Sequence, residues 1–174
     1  IARALRAAGI PVQGVDLIPL AEVPVVQDLI ALTRALLDPA DRAASIAVLR
    51  APWCGADLGS LARLFEGAPH ATLDELLADP VRCQGLPGAA LGRLQHVHEC
   101  LDAARAQLAR APLAAVVEAT WLRLGGAVVY AEAAAVLDAR RFLDAFAERE
   151  QGGEWAGVDD VGPLVARLFA ASDT

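Results

Sequence analysis

The stretch "GAALGRLQHVHECLDAARAQLARAP", residues 88–112, constrains the fold more than any other. Leu94, Val97, Leu101, Ala104 and Leu108 follow one another in steps of three and four, a spacing that lines one face of an α-helix and makes a seam for packing against another helix. A lone amphipathic helix cannot bury its own stripe, so the chain must supply further helices. Its punctuation shows where they lie. Val26, Leu29, Ile30, Leu36 and Leu37 recur at helical spacing from Pro24 to Leu37, with Gln27, Arg34 and Asp38 on the wet face. Asp38-Pro39 offers a cap followed by a proline suited to the first helical position, predicting a second helix that runs to Arg50 and stops at Ala51-Pro52. Asp57 can cap a third, with Leu58, Leu61, Leu64 and Phe65 on one face and Gly67 at its end. Thr72 and Glu75 form a capping-box pattern ahead of a short helix. Beyond the seam, Leu113, Val116, Val117, Trp121 and Leu124 predict a helix closed by Gly125-Gly126, and another is expected from Val129 to Glu148, burying Val136, Ala139, Leu143 and Phe146. "EREQGGEWAG" reads as a charged connection, and "VDDVGPLVARLFAASD" as a last helix. No period of the solenoid kind repeats. The expected fold is mainly all-α: an irregular multi-helix body.

One segment departs from this pattern. In "LRAAGIPVQGVDLIPL" the residues from Ala2 to Ala8 read as the end of a helix, Gly9 accepts the left-handed conformation after it, and Pro11 stops it. Val12, Val15, Leu17 and Ile18 then offer a short strand. A strand needs partners for its backbone donors and acceptors, and the chain offers none. With no Met anywhere and a start at Ile1 inside a helical pattern, the sequence reads as a piece of a longer protein whose other strands lie outside it.

Hydrophobic residues make up 56% of the 174, enough for a buried core, yet no apolar run reaches the length of a bilayer span. No membrane partner is therefore expected. The three cysteines, Cys54, Cys83 and Cys100, are an odd number without metal-type spacing, which fits reduced thiols and a cytoplasmic location. The net charge of −7 opposes tight autonomous binding of nucleic acid, which draws affinity from phosphate neutralisation.

Chemistry-bearing patterns are few. "HVHEC" places His96 and Cys100 one helical turn apart, as two ligands on one face would be, but no second His/Cys cluster completes a tetrahedron, so no metal site is expected. Asp159-Asp160 and Asp74-Glu75 sit at helix N-termini, where capping and the macrodipole account for them. Neither a phosphate-cradling glycine loop nor a Gly-flanked nucleophilic serine occurs, so no catalytic residue and no cofactor-binding residue is assigned. The corner in "LRAPWCGADLGSLARLF" carries two readings. A helix start after a Gly-bearing turn presents free N–H groups to a phosphate, which would make Arg50, Trp53, Gly55 and Arg63 a nucleic-acid-binding set; alternatively this is a helix–helix corner with Trp53 plugging the core.

The stretch "LRAAGIPVQGVDLIPLAEVPVVQDLIALTRALLDPADRAASIAVLRAPWCGADL" resembles UvrD/Rep/RecB-type superfamily 1 DNA helicases, from just after motif IV of the second motor domain into the inserted helical subdomain called 2B. The resemblance rests on "LRAAGIP" before a strand, on "AEVPVVQD" with Glu22, Gln27 and Asp28, on the "LLDPADR" turn and on the "LRAPWCG" corner. It implies that residues 1–20 are an edge of a RecA-like motor domain and that residues 21–174 are a 2B-like accessory subdomain. It further implies a parent protein acting in DNA repair or recombination, with ATP and Mg held by motor motifs this chain lacks. The implied partners are those motor domains and, weakly, duplex or forked DNA. The "PWCG" form inclines the resemblance toward RecB- or AddA-like helicase-exonucleases of the exonuclease V kind. Where many relatives carry a Gly-x-Gly turn that grips duplex backbone, this chain has Trp53-Cys54-Gly55-Ala56-Asp57, with one glycine. A second reading of different class is a stand-alone α-helical protein-interaction domain that offers the flank of the Leu94–Leu108 seam to a partner helix.

Overall fold

A computed structural model of the protein describes residues 20–130 and 132–153. The orphan strand read at Val12 to Ile18 and the last helix read after Val158 lie outside the described residues. Within them the chain forms a 3₁₀ turn at Leu20–Glu22 and nine α-helices, with no strand. These are α1 (Pro24–Leu37), α2 (Arg42–Arg50), α3 (Leu58–Phe65), α4 (Leu73–Ala78), α5 (Pro80–Gln84), α6 (Gly88–Arg105), α7 (Leu113–Arg123), α8 (Gly126–Val129) and α9 (Ala133–Gln151). The mainly all-α fold expected from the periodicity is the one observed.

α1 is the hub. It packs against α2, α6, α7 and α9, and Val25, Val26, Leu29, Leu32, Ala35 and Leu36 are fully buried on it. Even Thr33 is buried, its hydroxyl turned back onto the Leu29 carbonyl at 2.8 Å. The seam of α6 is filled from inside: Leu94, Val97, Leu101 and Ala104 are all buried, and the helix packs on α1 and α7. α9 closes the bundle with Ala139, Phe142, Leu143 and Phe146 facing inward, the two phenyl rings 6.0 Å apart.

Caps set most boundaries. α2 begins three residues later than Asp38-Pro39 predicts. Asp38 accepts from the Ala40 amide at 2.9 Å and so closes a turn across Pro39, while Asp41, paired with Arg34 at 2.6 Å, receives the Ala44 amide and caps the helix. Arg34 and this cap together hold Asp41 below its ordinary pKa, against the opposing effect of burial. Thr72 and Glu75 make the reciprocal capping box. Asp79 caps α5, a short helix that the periodicity did not reveal, with Pro80 in its first position. α6 ends at Arg105, so Leu108 reaches the core from a turn and is only half-buried. The break at Gly125-Gly126 is required twice over: Gly125 is left-handed at φ 82°, and a Cβ on Gly126 would overlap the Trp121 indole. α9 starts at Ala133 rather than Val129 because α8, a single turn, intervenes.

α7 has Pro112 before its first residue and so no side chain of its own for its cap. The cap comes from the far end of α9: Glu150 accepts the Leu113 amide at 2.6 Å through Oε1 and the Ala114 amide at 3.0 Å through Oε2. A carboxylate there satisfies two free donors and complements the helix dipole.

Candidate nucleic-acid interface at the Trp53 corner

The corner between α2 and α3 is built from backbone hydrogen bonds. The Cys54 and Gly55 amides both return to the Ala51 carbonyl, at 2.9 and 2.8 Å, and the Ala56 amide reaches the Leu49 carbonyl at 2.9 Å. This tight return needs one residue in the left-handed region, and Gly55 supplies it at φ 58°. Asp57 then caps α3, accepting the Ser60 amide at 2.8 Å and its hydroxyl at 2.7 Å. Those hydrogen bonds lower the Asp57 pKa.

Trp53 turns inward. It is 9% exposed, its indole N–H donates to the Val48 carbonyl at 3.0 Å, and its ring meets Tyr130 edge-on at 6.3 Å and 68°. The Tyr130 hydroxyl in turn donates to Asp28 Oδ2, so the corner is tied through Tyr130 to the central helix. Burial raises the Asp28 pKa, opposed by the Tyr130 hydrogen bond. Burial together with the neighbouring Asp28 raises that of Tyr130. Cys54 is buried, which pushes its thiol up.

The four residues read from the sequence as a binding set therefore hold three kinds of position. Arg50 and Gly55 are exposed at the rim. Arg63 is exposed on α3, with one guanidinium N–H donated to the Gly85 carbonyl at 2.7 Å. Trp53 belongs to the interior, the position of the plug reading. The first turn of α3, the place for a bound phosphate, is occupied by the Asp57 carboxylate.

Sequence spacing gave no sign of Arg93, whose Nε donates to the Cys54 carbonyl at 2.7 Å from 39 residues away. Other arginines are used in the same manner around α3. Arg82 donates to the Leu64 and Glu66 carbonyls at 3.0 and 2.7 Å. Arg42 donates to the Ala68 carbonyl at 3.2 Å and stacks over Phe65 at 5.0 Å. All 15 basic residues of the chain are arginine; here Arg82 meets carbonyls at the C-terminal end of α3 that lack an intrahelical partner, while Arg93 and Arg42 meet carbonyls of turns.

The "HVHEC" pair is also rearranged. His96 is exposed, Cys100 is buried, and the Cys100 Sγ lies 3.8 Å from His96 Nε2. It is His98, two residues on, that meets other polar groups, with Nε2 at 3.3 Å from Asp74 and 3.4 Å from Asp102.

No protein-family model matches the chain, and neither a curated protein nor a solved structure matches it significantly. Fold and corner define a mainly α-helical domain, and among the described residues no helix is long and apolar enough to cross a membrane.

Proposed function

We propose that the chain is the accessory, 2B-like helical subdomain of a cytoplasmic ATP-dependent DNA helicase of the UvrD/RecB type, acting in DNA repair or recombination. It contacts duplex DNA weakly through the exposed rim of the Trp53 corner and performs no catalysis itself. The observation that carries this reading is the position of α1. The resemblance makes this the helix through which the chain leaves the motor domain, and α1 is the element around which α2, α6, α7 and α9 assemble. A helical body organised on its connecting helix suits an insert that moves as one piece relative to a motor.

The corner supports a limited role on DNA. Its donors are largely satisfied within the protein, and Asp57 opposes an anion at the start of α3, so gripping a phosphate in the helix N-terminus is disfavoured. Arg50 and the remaining donors of Arg63 are exposed to bulk solvent and supply electrostatic contact without sequence readout. The alternative is a protein-interaction domain that offers the flank of the α6 seam to a partner helix; the seam itself is filled by the chain's own helices.

The test is an Arg50→Glu/Arg63→Glu double variant. Duplex affinity of the parent protein should weaken by about 1 to 3 kcal/mol, with a shallower dependence on salt and little change for single strands. Unchanged duplex affinity would remove the corner from the interface.

A further inference from the structure

We propose that Asp74, His98 and Asp102 form a divalent-cation site of the zinc class that staples α4 to α6. The inference is independent of the helicase reading. His98 and Asp102 lie four residues apart on one face of α6, and Asp74 projects from the first turn of α4, which the Thr72–Glu75 capping box fixes. Their three donor atoms all lie within 4.8 Å of one another.

Two of the three separations bear on the chemistry. His98 Nε2 is 3.3 Å from Asp74 Oδ1 and 3.4 Å from Asp102 Oδ2. A tetrahedral ion with bonds of about 2.0–2.1 Å has ligand–ligand edges of about 3.3 Å, so both separations equal the edges of an occupied site. They suit hydrogen bonding less well. A full imidazolium–carboxylate bond runs at about 2.7–2.9 Å; one Nε2 proton shared between Asp74 and Asp102 would make two long three-centre bonds, whereas one cation satisfies both oxygens and the nitrogen lone pair.

The surroundings set the kind of ion and the strength. One imidazole nitrogen with two carboxylate oxygens favours zinc, cobalt or nickel over magnesium or calcium, which take all-oxygen sets. The His98 side chain is 18% exposed and so held by packing, while Asp74 and Asp102 are 72% and 53% exposed, which leaves water free to complete the shell. Arg105 donates to Asp102 Oδ1 at 3.2 Å and leaves Oδ2 turned to His98, the orienting role of an outer-shell partner. His98 Nδ1 is buried without a hydrogen-bond partner. With Nε2 on the metal the ring proton must sit there unsatisfied, so the site binds less tightly than a four-ligand structural zinc centre.

The experiment is zinc titration of the chelator-stripped 174-residue chain, followed by calorimetry and thermal unfolding, with cobalt absorption reporting coordination geometry. One ion should bind per chain, and a free zinc concentration tenfold above the dissociation constant should raise the unfolding midpoint by about 3–6 °C. His98→Gln and Asp102→Asn should abolish the response, and His96→Gln should keep it. Should His98→Gln fail to fold, Asp74→Asn, which alters an exposed position, carries the same expectation. A wild type without response, or a response that survives His98→Gln, would overturn the proposal. So would a loss confined to His96→Gln, which would transfer binding to the His96–Cys100 pair. Stabilisation on acidification through the histidine range with no response to zinc would make the cluster a proton-held clamp and likewise overturn it.

Discussion

Replacing Tyr130 with Phe should destabilise the protein through Asp28, on the opposite side of the contact. Asp28 lies on the central helix α1, partly buried, and burial raises its pKa above the ordinary 3.8 while the Tyr130 hydroxyl partly compensates. That hydroxyl comes from the end of α8, 102 residues later in the chain. Deleting it leaves the desolvated carboxylate without its donor, at a cost of about 1–3 kcal/mol. For a domain of this size each kcal/mol moves the midpoint by about 2–4 °C, so a loss of about 2 kcal/mol lowers it by about 4–8 °C. The pH dependence has a definite sign. Because the folded-state pKa is raised, the penalty of the buried charge is full above that pKa and vanishes below the unfolded value as the folded protein takes up a proton. The Tyr130→Phe deficit should therefore shrink as pH falls from neutral through the carboxylate range. Asp28→Asn, which retains an acceptor and removes the charge, should lie near wild-type stability at neutral pH, and Tyr130→Phe should cost less in that background. Thermal and urea unfolding of the four variants across pH measures this cycle. A neutral-pH unfolding free energy for Tyr130→Phe within about 0.5 kcal/mol of wild type, or a deficit that grows on acidification, would refute the reasoning.

Gly126→Ala should cost about 2–3 kcal/mol, because the added Cβ meets the Trp121 ring, which has no room to withdraw within the packed end of α7; urea unfolding reads it, and Gly92→Ala, where a Cβ meets open space, is the matched control. Glu150→Ala should cost about 1–2 kcal/mol by leaving the Leu113 and Ala114 amides uncapped, and hydrogen exchange should show the first turn of α7 fraying before the rest.

Local rules carried most of the helical layout. The seam of α6 from Leu94 to Ala104, the cap at Asp57, the capping box at Thr72 and the glycine stop after α7 each depend on residues within a few positions of one another, and each lies where these local signals place it. The start of α2 was displaced because two aspartates compete for the cap, and the contact that favours Asp41 comes from Arg34, a turn back on α1. What the sequence could not reveal are pairings across tens of residues: Glu150 with the start of α7, Arg93 with the Cys54 carbonyl, Tyr130 with Asp28. Such contacts depend on how helices cross, and no period within one helix encodes the crossing. The same limit explains the histidines. His96 and Cys100 have ligand-like spacing on α6, yet the cluster forms around His98 because Asp74 approaches its face from α4.

The central claim, a non-catalytic accessory subdomain with a weak electrostatic contact to duplex, is tested most directly by a salt-titrated duplex-binding curve on the purified chain, run beside a DNA-stimulated phosphate-release assay. Phosphoryl transfer needs a phosphate cradle, a metal-holding acid and a positive finger in one site, and the predicted result is no phosphate release above the blank. Duplex binding should fall in or above the range of roughly 10⁻⁴ to 10⁻⁶ M at physiological salt and disappear as salt rises. ATP turnover by the chain would contradict the account, and so would the absence of any duplex affinity at low salt combined with tight, salt-insensitive binding to a protein partner.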